Sequence, residues 1–96
     1  MIRHIVFFKF KEGTSNADRE SLISALEGLK NKIAEVKELK VGKDVGNKPN
    51  SYHIALDSVF ETFDDVETYA IHPDHVEVVN MVKQLCESSV KVDYEF

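Results

Sequence analysis

Ile2-Arg3-His4-Ile5-Val6-Phe7-Phe8-Lys9-Phe10 alternates with a period of two. His4, Val6, Phe8 and Phe10 fall on one side, and Arg3, Ile5, Phe7 and Lys9 on the other. β-branched and aromatic residues in that period make a strand, because successive side chains of a strand point to opposite faces. Both sides are apolar at the middle, so the pattern predicts a central strand covered on both faces. The rest of the chain must supply its neighbours and its cover.

Glu12-Gly13 ends this strand. Ser15, with Asp18 three residues on, makes a capping pair that opens a helix running to about Glu35. Leu22, Leu26, Leu29 and Ile33 draw its apolar stripe, with Ser24, Glu27, Asn31 and Glu35 on the solvent side. Leu39 to Val45 alternates more weakly, and 46–50 is a turn by composition. In the next strand, Tyr52 to Phe60, one face carries Tyr52, Ile54, Leu56, Ser58 and Phe60, and His53 belongs to the other.

Thr62 and Asp65 form a second capping pair, opening a short helix through Tyr69. Pro73 suits the first position of a further helix, with His72 before it, and Asp74 and Glu77 complement the dipole in its first turn. That helix is expected to reach about Glu87. It carries Val76, Val78, Val79, Met81, Val82, Leu85 and Cys86, too many apolar residues for one narrow stripe. Two contact surfaces explain them, one of which faces a partner. Val90, Val92, Tyr94 and Phe96 then alternate in a final strand. The order βαββαβ is the α+β, ferredoxin-like pattern with an antiparallel four-stranded sheet.

The 96 residues support one domain, 1–96, and the net charge of −5 argues against a nucleic-acid partner. That charge is unevenly spread. Ten of the twelve basic residues and seven acids fall in 1–48, giving +3, and the remaining two bases and ten acids give −8. The two halves are complementary, which favours self-association. No apolar run approaches the roughly 20 residues that span a bilayer, so no membrane partner is expected. The single cysteine, Cys86, excludes an internal disulfide and fits a reducing, cytoplasmic setting, with its thiol packed in the last helix.

Three segments carry a resemblance: His4-Ile5-Val6-Phe7-Phe8-Lys9-Phe10-Lys11, Tyr69-Ala70-Ile71-His72-Pro73-Asp74-His75-Val76 after Val59-Phe60-Glu61, and Val92-Asp93-Tyr94. With their spacing, the whole chain resembles the stress-responsive dimeric α/β-barrel domain (Dabb) family. The resemblance implies a homodimer whose two sheets face each other and close a barrel. Most of that family has no assigned activity. A plant polyketide cyclase among its members closes a linear poly-β-ketone by aldol condensation without a metal cofactor. Its working tyrosine and histidine match Tyr69 and His75, and its first-strand histidine matches His4. Ile54 and Leu26 stand where the cyclase has a further histidine and tyrosine. No cofactor is implied. Some relatives hold a cation on backbone carbonyls at the end of the first helix, which would be those of Lys30, Ile33 and Val36.

Two readings of these residues stand side by side. In the chemical one, His75 sits near a helix start, where the dipole favours neutral imidazole, and takes a proton from an acidic carbon. Tyr69 then hydrogen-bonds the developing enolate, and His4 orients a substrate oxygen. His72, Val6, Phe8, Leu26, Ile54 and Leu56, with Val92 and Tyr94, are expected around a cavity for a small apolar or polyketide-like molecule. In the structural reading, His72 caps the last helix and His75 bonds Tyr69 or a backbone carbonyl. Binding of a small apolar ligand without turnover, a cyclase or isomerase using Tyr69 and His75, and a monooxygenase-like activity are the candidate functions. No histidine spacing resembles a zinc site or an axial haem ligand.

Overall fold

The computed structural model describes residues 1–96. In chain order the elements are β1 (Ile2–Phe10), α1 (Asn16–Lys32), β2 (Glu38–Lys43), β3 (Ile54–Phe60), α2 (Phe63–Ile71), α3 (Pro73–Leu85) and β4 (Cys86–Glu95). The sheet order is β2-β3-β1-β4, with every pair antiparallel. The doubly apolar β1 is central, as its alternation predicts, and the fold is the expected α+β, ferredoxin-like one. The three helices supply one layer against it. None is long and apolar enough to cross a membrane.

Caps set the helix starts. Ser15 Oγ accepts the Asp18 N–H at 3.1 Å, and Thr62 Oγ1 accepts the Asp65 N–H at 3.2 Å. Before α1, Gly13 adopts φ +84°, a conformation that costs glycine little and turns the chain away from β1. α1 stops at Lys32, short of Glu35, because Ile33 takes extended backbone (φ −123°). The chain then turns so that Ile33 and Val36 both reach the core. They join Leu22, Leu26 and Leu29 against Phe8, Phe10, Leu56 and Phe60 of the sheet.

The last junction also departs from the expected boundaries. α3 ends at Leu85 and β4 begins at Cys86 with no loop between them, four residues before Val90. Cys86 is therefore a strand residue paired with Phe10, not part of the helix. Its thiol is buried, and burial pushes its pKa up, which disfavours the reactive thiolate.

The register of β4 sorts its two sides. Phe7 pairs with Val90, Ile5 with Val92 and Arg3 with Tyr94; Phe8 pairs with Ser89, Val6 with Lys91 and His4 with Asp93. Residues paired across a sheet share a face. Val92 and Tyr94 thus point away from the helices and do not line a cavity beneath them. With Phe7 they remain 42–51% exposed on the helix-free face. Arg3 also lies there, donating from its guanidinium to Asp57 at 2.8 Å and covering the Phe96 ring. Within one chain, only one face of β1 is covered.

Candidate functional site

The site begins at a break between two helices. His72 closes α2 with its N–H on the Tyr69 carbonyl, 3.1 Å, and opens α3 with Nδ1 accepting the Asp74 N–H, 3.1 Å. Pro73 at the first helical position lacks the N–H that would be unpaired there anyway. Caps on both sides let the chain turn sharply after Ile71. The turn brings Tyr69, on the last turn of α2, against His75, on the first turn of α3, with ring centroids 4.3 Å apart.

His75 Nδ1 lies 3.0 Å from the Ala70 carbonyl oxygen. A carbonyl only accepts, so Nδ1 carries the proton and Nε2 keeps its lone pair. Burial lowers the His75 pKa, and the nearby His4, Lys91 and His72 push the same way against the Ala70 contact. The ring is thus a neutral base. Both local parts of the structural reading, the His72 cap and the His75–carbonyl bond, are present, yet they leave Nε2 uncommitted.

Tyr69 is 1% exposed, and its hydroxyl has no hydrogen-bond partner within the protein. Its ring meets Phe60 edge-on at 5.0 Å and His4 at 5.9 Å. Burial raises its pKa, because phenolate is costly to desolvate. It therefore remains a phenol that donates. A buried polar group without a partner costs about 1–3 kcal/mol.

His4 reaches the same place from the sheet. Its Nδ1 is 2.5 Å from Asp93 Oδ1, opposite it in the β1–β4 register. The carboxylate accepts, so Nδ1 carries the proton. The Ser58 hydroxyl donates to the His4 carbonyl oxygen at 3.0 Å, tying this point of β1 to β3.

These three side chains border a cavity of about 170 Å³, together with Val6, Phe8, Leu26, Leu56, Val78, Val82, Ser89 and Lys91. Seven expected residues meet here, namely His4, Val6, Phe8, Leu26, Leu56, Tyr69 and His75. His72 and Ile54 do not. His72 is turned to its own backbone as a cap, and Ile54 packs toward the far end of the sheet beside Phe10 and Ile23. His53 is likewise structural, accepting the Phe10 N–H on Nδ1 at 2.9 Å and stacking on the Phe10 ring. Asp93, Lys91 and Ser89 were absent from the expected set. Only the register of β4 against β1 could have found them.

Of the carbonyl positions at the end of α1, that of Ile33 accepts the Val36 N–H at 3.2 Å. Lys30 borders a hollow it shares with Arg3, Lys37, Glu38, Lys40 and Asp57.

Comparison with known proteins agrees with the fold. The chain belongs to the stress-responsive A/B barrel domain family, whose model matches residues 2–96. Olivetolic acid cyclase of Cannabis sativa is 30% identical over 95 residues, covering 97% of this chain and 94% of the cyclase. A dimeric ferredoxin-like protein of unknown function from Bacteroides fragilis superposes with a TM-score of 0.86 and 35% identity, over 99% of this chain and 95% of that one. A hydroxynitrile lyase from Passiflora edulis superposes at 0.88 with 28% identity, over 97% and 90% of the two chains.

The His75 environment has a measurable consequence. Its ring protons, followed by NMR, should titrate with a midpoint below the ordinary 6.5. The unfolded chain then binds this proton at higher pH than the folded one, so His75's contribution is complete above 6.5 and is lost as pH falls. The urea unfolding free energy should accordingly decline from pH 7.5 to pH 5, and less so in His75→Ala. A His75 midpoint at or above 6.5 contradicts this.

Proposed function

We propose that this chain binds a small carbonyl compound beneath Tyr69 and moves a proton at the carbon next to the carbonyl. The observation that carries the reading is the buried Tyr69 hydroxyl, which lacks a protein partner but borders a cavity flanked by two oriented histidines. A ligand oxygen is the natural acceptor for it.

The chemistry follows from the protonation states. The Tyr69 hydroxyl donates to the carbonyl oxygen. His75 Nε2 takes a proton from the adjacent carbon, and the C–H electron pair moves into the enolate, whose oxygen gains charge. The Tyr69 hydrogen bond strengthens as that charge develops, so it stabilises the transition state more than the ground state. His4, held by Asp93, contacts a second polar group or returns the proton. The enolate is then reprotonated or attacks a second carbonyl, as in an isomerase or a cyclase. Similarity to proteins named a cyclase and a hydroxynitrile lyase supports this class. The cavity is smaller than the roughly 300–1,000 Å³ of drug-sized sites. That favours a compact ligand and disfavours haem, and with it a haem-dependent monooxygenase.

Hydrogen–deuterium exchange at C2 of ethyl 3-oxohexanoate in D₂O tests the proposal. The protein should speed exchange above the buffer rate. Tyr69→Phe and His75→Ala should each lower the excess rate about 100-fold or more, the usual range for one oxyanion donor or one general base. Exchange no faster than in buffer, or unaffected by both substitutions, contradicts it.

A second copy of the chain is the proposed cover of the helix-free face. Phe7, Val90, Val92, Tyr94 and Phe96 are 42–56% exposed there, and a contiguous apolar patch of this kind marks an interface. The dimeric description of the Bacteroides relative supports it. Sedimentation equilibrium at micromolar concentration should report twice the 10.9 kDa of one chain. Val92→Asp should shift the population toward the single-chain mass while the far-ultraviolet circular dichroism stays unchanged. A 10.9 kDa species of the unaltered protein contradicts this.

A further inference from the structure

Lys91 is a charged residue on the wall of an otherwise largely apolar cavity. It lies opposite Val6 in the β1–β4 register, which turns it to the helix side of the sheet. There it borders the inner cavity together with Ser89. It also borders a more open cleft of about 440 Å³, formed by Phe63, Val66, Ala70, Ile71 and Asp93 among others. Val66, Ala70 and Lys91 belong to both spaces, so Lys91 stands at the neck between them.

Its charge is not met within the chain. Lys9 pairs with Glu87 and Lys43 with Glu20, but Lys91 has neither an ion pair nor a side-chain hydrogen bond. Of the two acids on the open cleft, Asp93 is engaged by His4, and Glu67 makes no ion pair with Lys91. An exposed ammonium side chain that borders an apolar cavity, with a hydroxyl two residues away on the same face, is a ready donor set for a monoanion. One ammonium and one hydroxyl match a carboxylate. A phosphate brings a second charge, which a single ammonium leaves unpaired.

We propose that Lys91 selects the ligand's charge, so that the natural ligand is a small oxo acid with its carboxylate on Lys91 at the neck and its carbonyl on Tyr69 inside. This rests on the reading of the cavity as a carbonyl site and narrows its ligand class. The open cleft beyond the neck, with exposed Phe63 and Ile71 on its wall, leaves room for the part of a longer acid that the inner cavity does not hold. Lys91 also opposes protonation of His75, and an arriving carboxylate would relieve that opposition. Binding of the anion would therefore strengthen the base that acts on it.

The test uses two probes of one shape, hexanoate and hexanamide, with Kd values measured by ligand-observed NMR at low salt. The unaltered protein should bind hexanoate about tenfold more tightly, as expected for one charge-assisted contact at a partly exposed site. Lys91→Met should remove the preference and Lys91→Arg should keep it. The preference should shrink in 0.5 M NaCl. Equal binding of the two probes, binding of neither, or a preference that survives Lys91→Met overturns the proposal. Neither probe has an acidic carbon between two carbonyls. The outcome is therefore separate from the exchange experiment: anion preference can fail while exchange on the neutral ester stands, and the reverse.

Discussion

The pairing of His4 with Asp93, and with it the register of β4 against β1, determines most of what this fold can do. In that register the apolar side of β4 lies beside Ile5 and Phe7 on the helix-free face. The polar side, Ser89, Lys91 and Asp93, lies beneath the helices. A slip of one residue would exchange the two sides completely. Apolar residues would then fill the cavity, and the open face would carry charge. The direct passage from Leu85 into Cys86, and the irregularity between Lys9 and Phe10, hold the strand in place. The face that meets a partner and the wall that meets a ligand are two outcomes of one alignment.

The second constraint is the break at His72-Pro73. One residue ends α2 and begins α3, and proline prevents the two from merging into a single straight helix. In one continuous helix, positions 69 and 75 would lie six residues apart on different faces. The break brings the rings to 4.3 Å, and the Ala70 carbonyl fixes which nitrogen of His75 is basic. Folding has used the backbone groups of this turn and has left the Tyr69 hydroxyl unused. Buried polar atoms are rarely left so, and they gather where a ligand is to be bound.

Much of this could be read from residue order. Alternation identified β1 as central, and the Ser15, Thr62 and His72 caps located three helix starts within a residue or two. The motif around Tyr69 and His75 marked two side chains that the fold brings together beside one cavity. The limits were equally physical. Period two in β4 says that two faces exist, but not which one meets the helices; only pairing with β1 decides it. Asp93, Lys91 and Ser89 were missed, and Val92 and Tyr94 misplaced, for that one reason. Ile33 looked helical by its spacing, and it leaves the helix because burying both Ile33 and Val36 outweighs one more turn. Cys86 continued the apolar pattern of α3 but already pairs with Phe10. The residue before Pro73 could be read either as a cap or as a cavity residue, and the single acceptor nitrogen of His72 is taken by the Asp74 N–H.

The central claim is that the Tyr69 hydroxyl serves a ligand and contributes nothing to folding. Thermal unfolding of Tyr69→Phe tests it most directly, because the substitution removes one oxygen and leaves the ring packing against Phe60 and His4 in place. Relief of a buried, unpartnered hydroxyl is worth about 1 kcal/mol or more, and a domain of this size gains roughly 4–8 °C in Tm per kcal/mol. The account therefore expects Tyr69→Phe to melt several degrees higher than the unaltered protein. A Tm several degrees lower would show that the hydroxyl is bonded within the fold, and the site would lose its anchor.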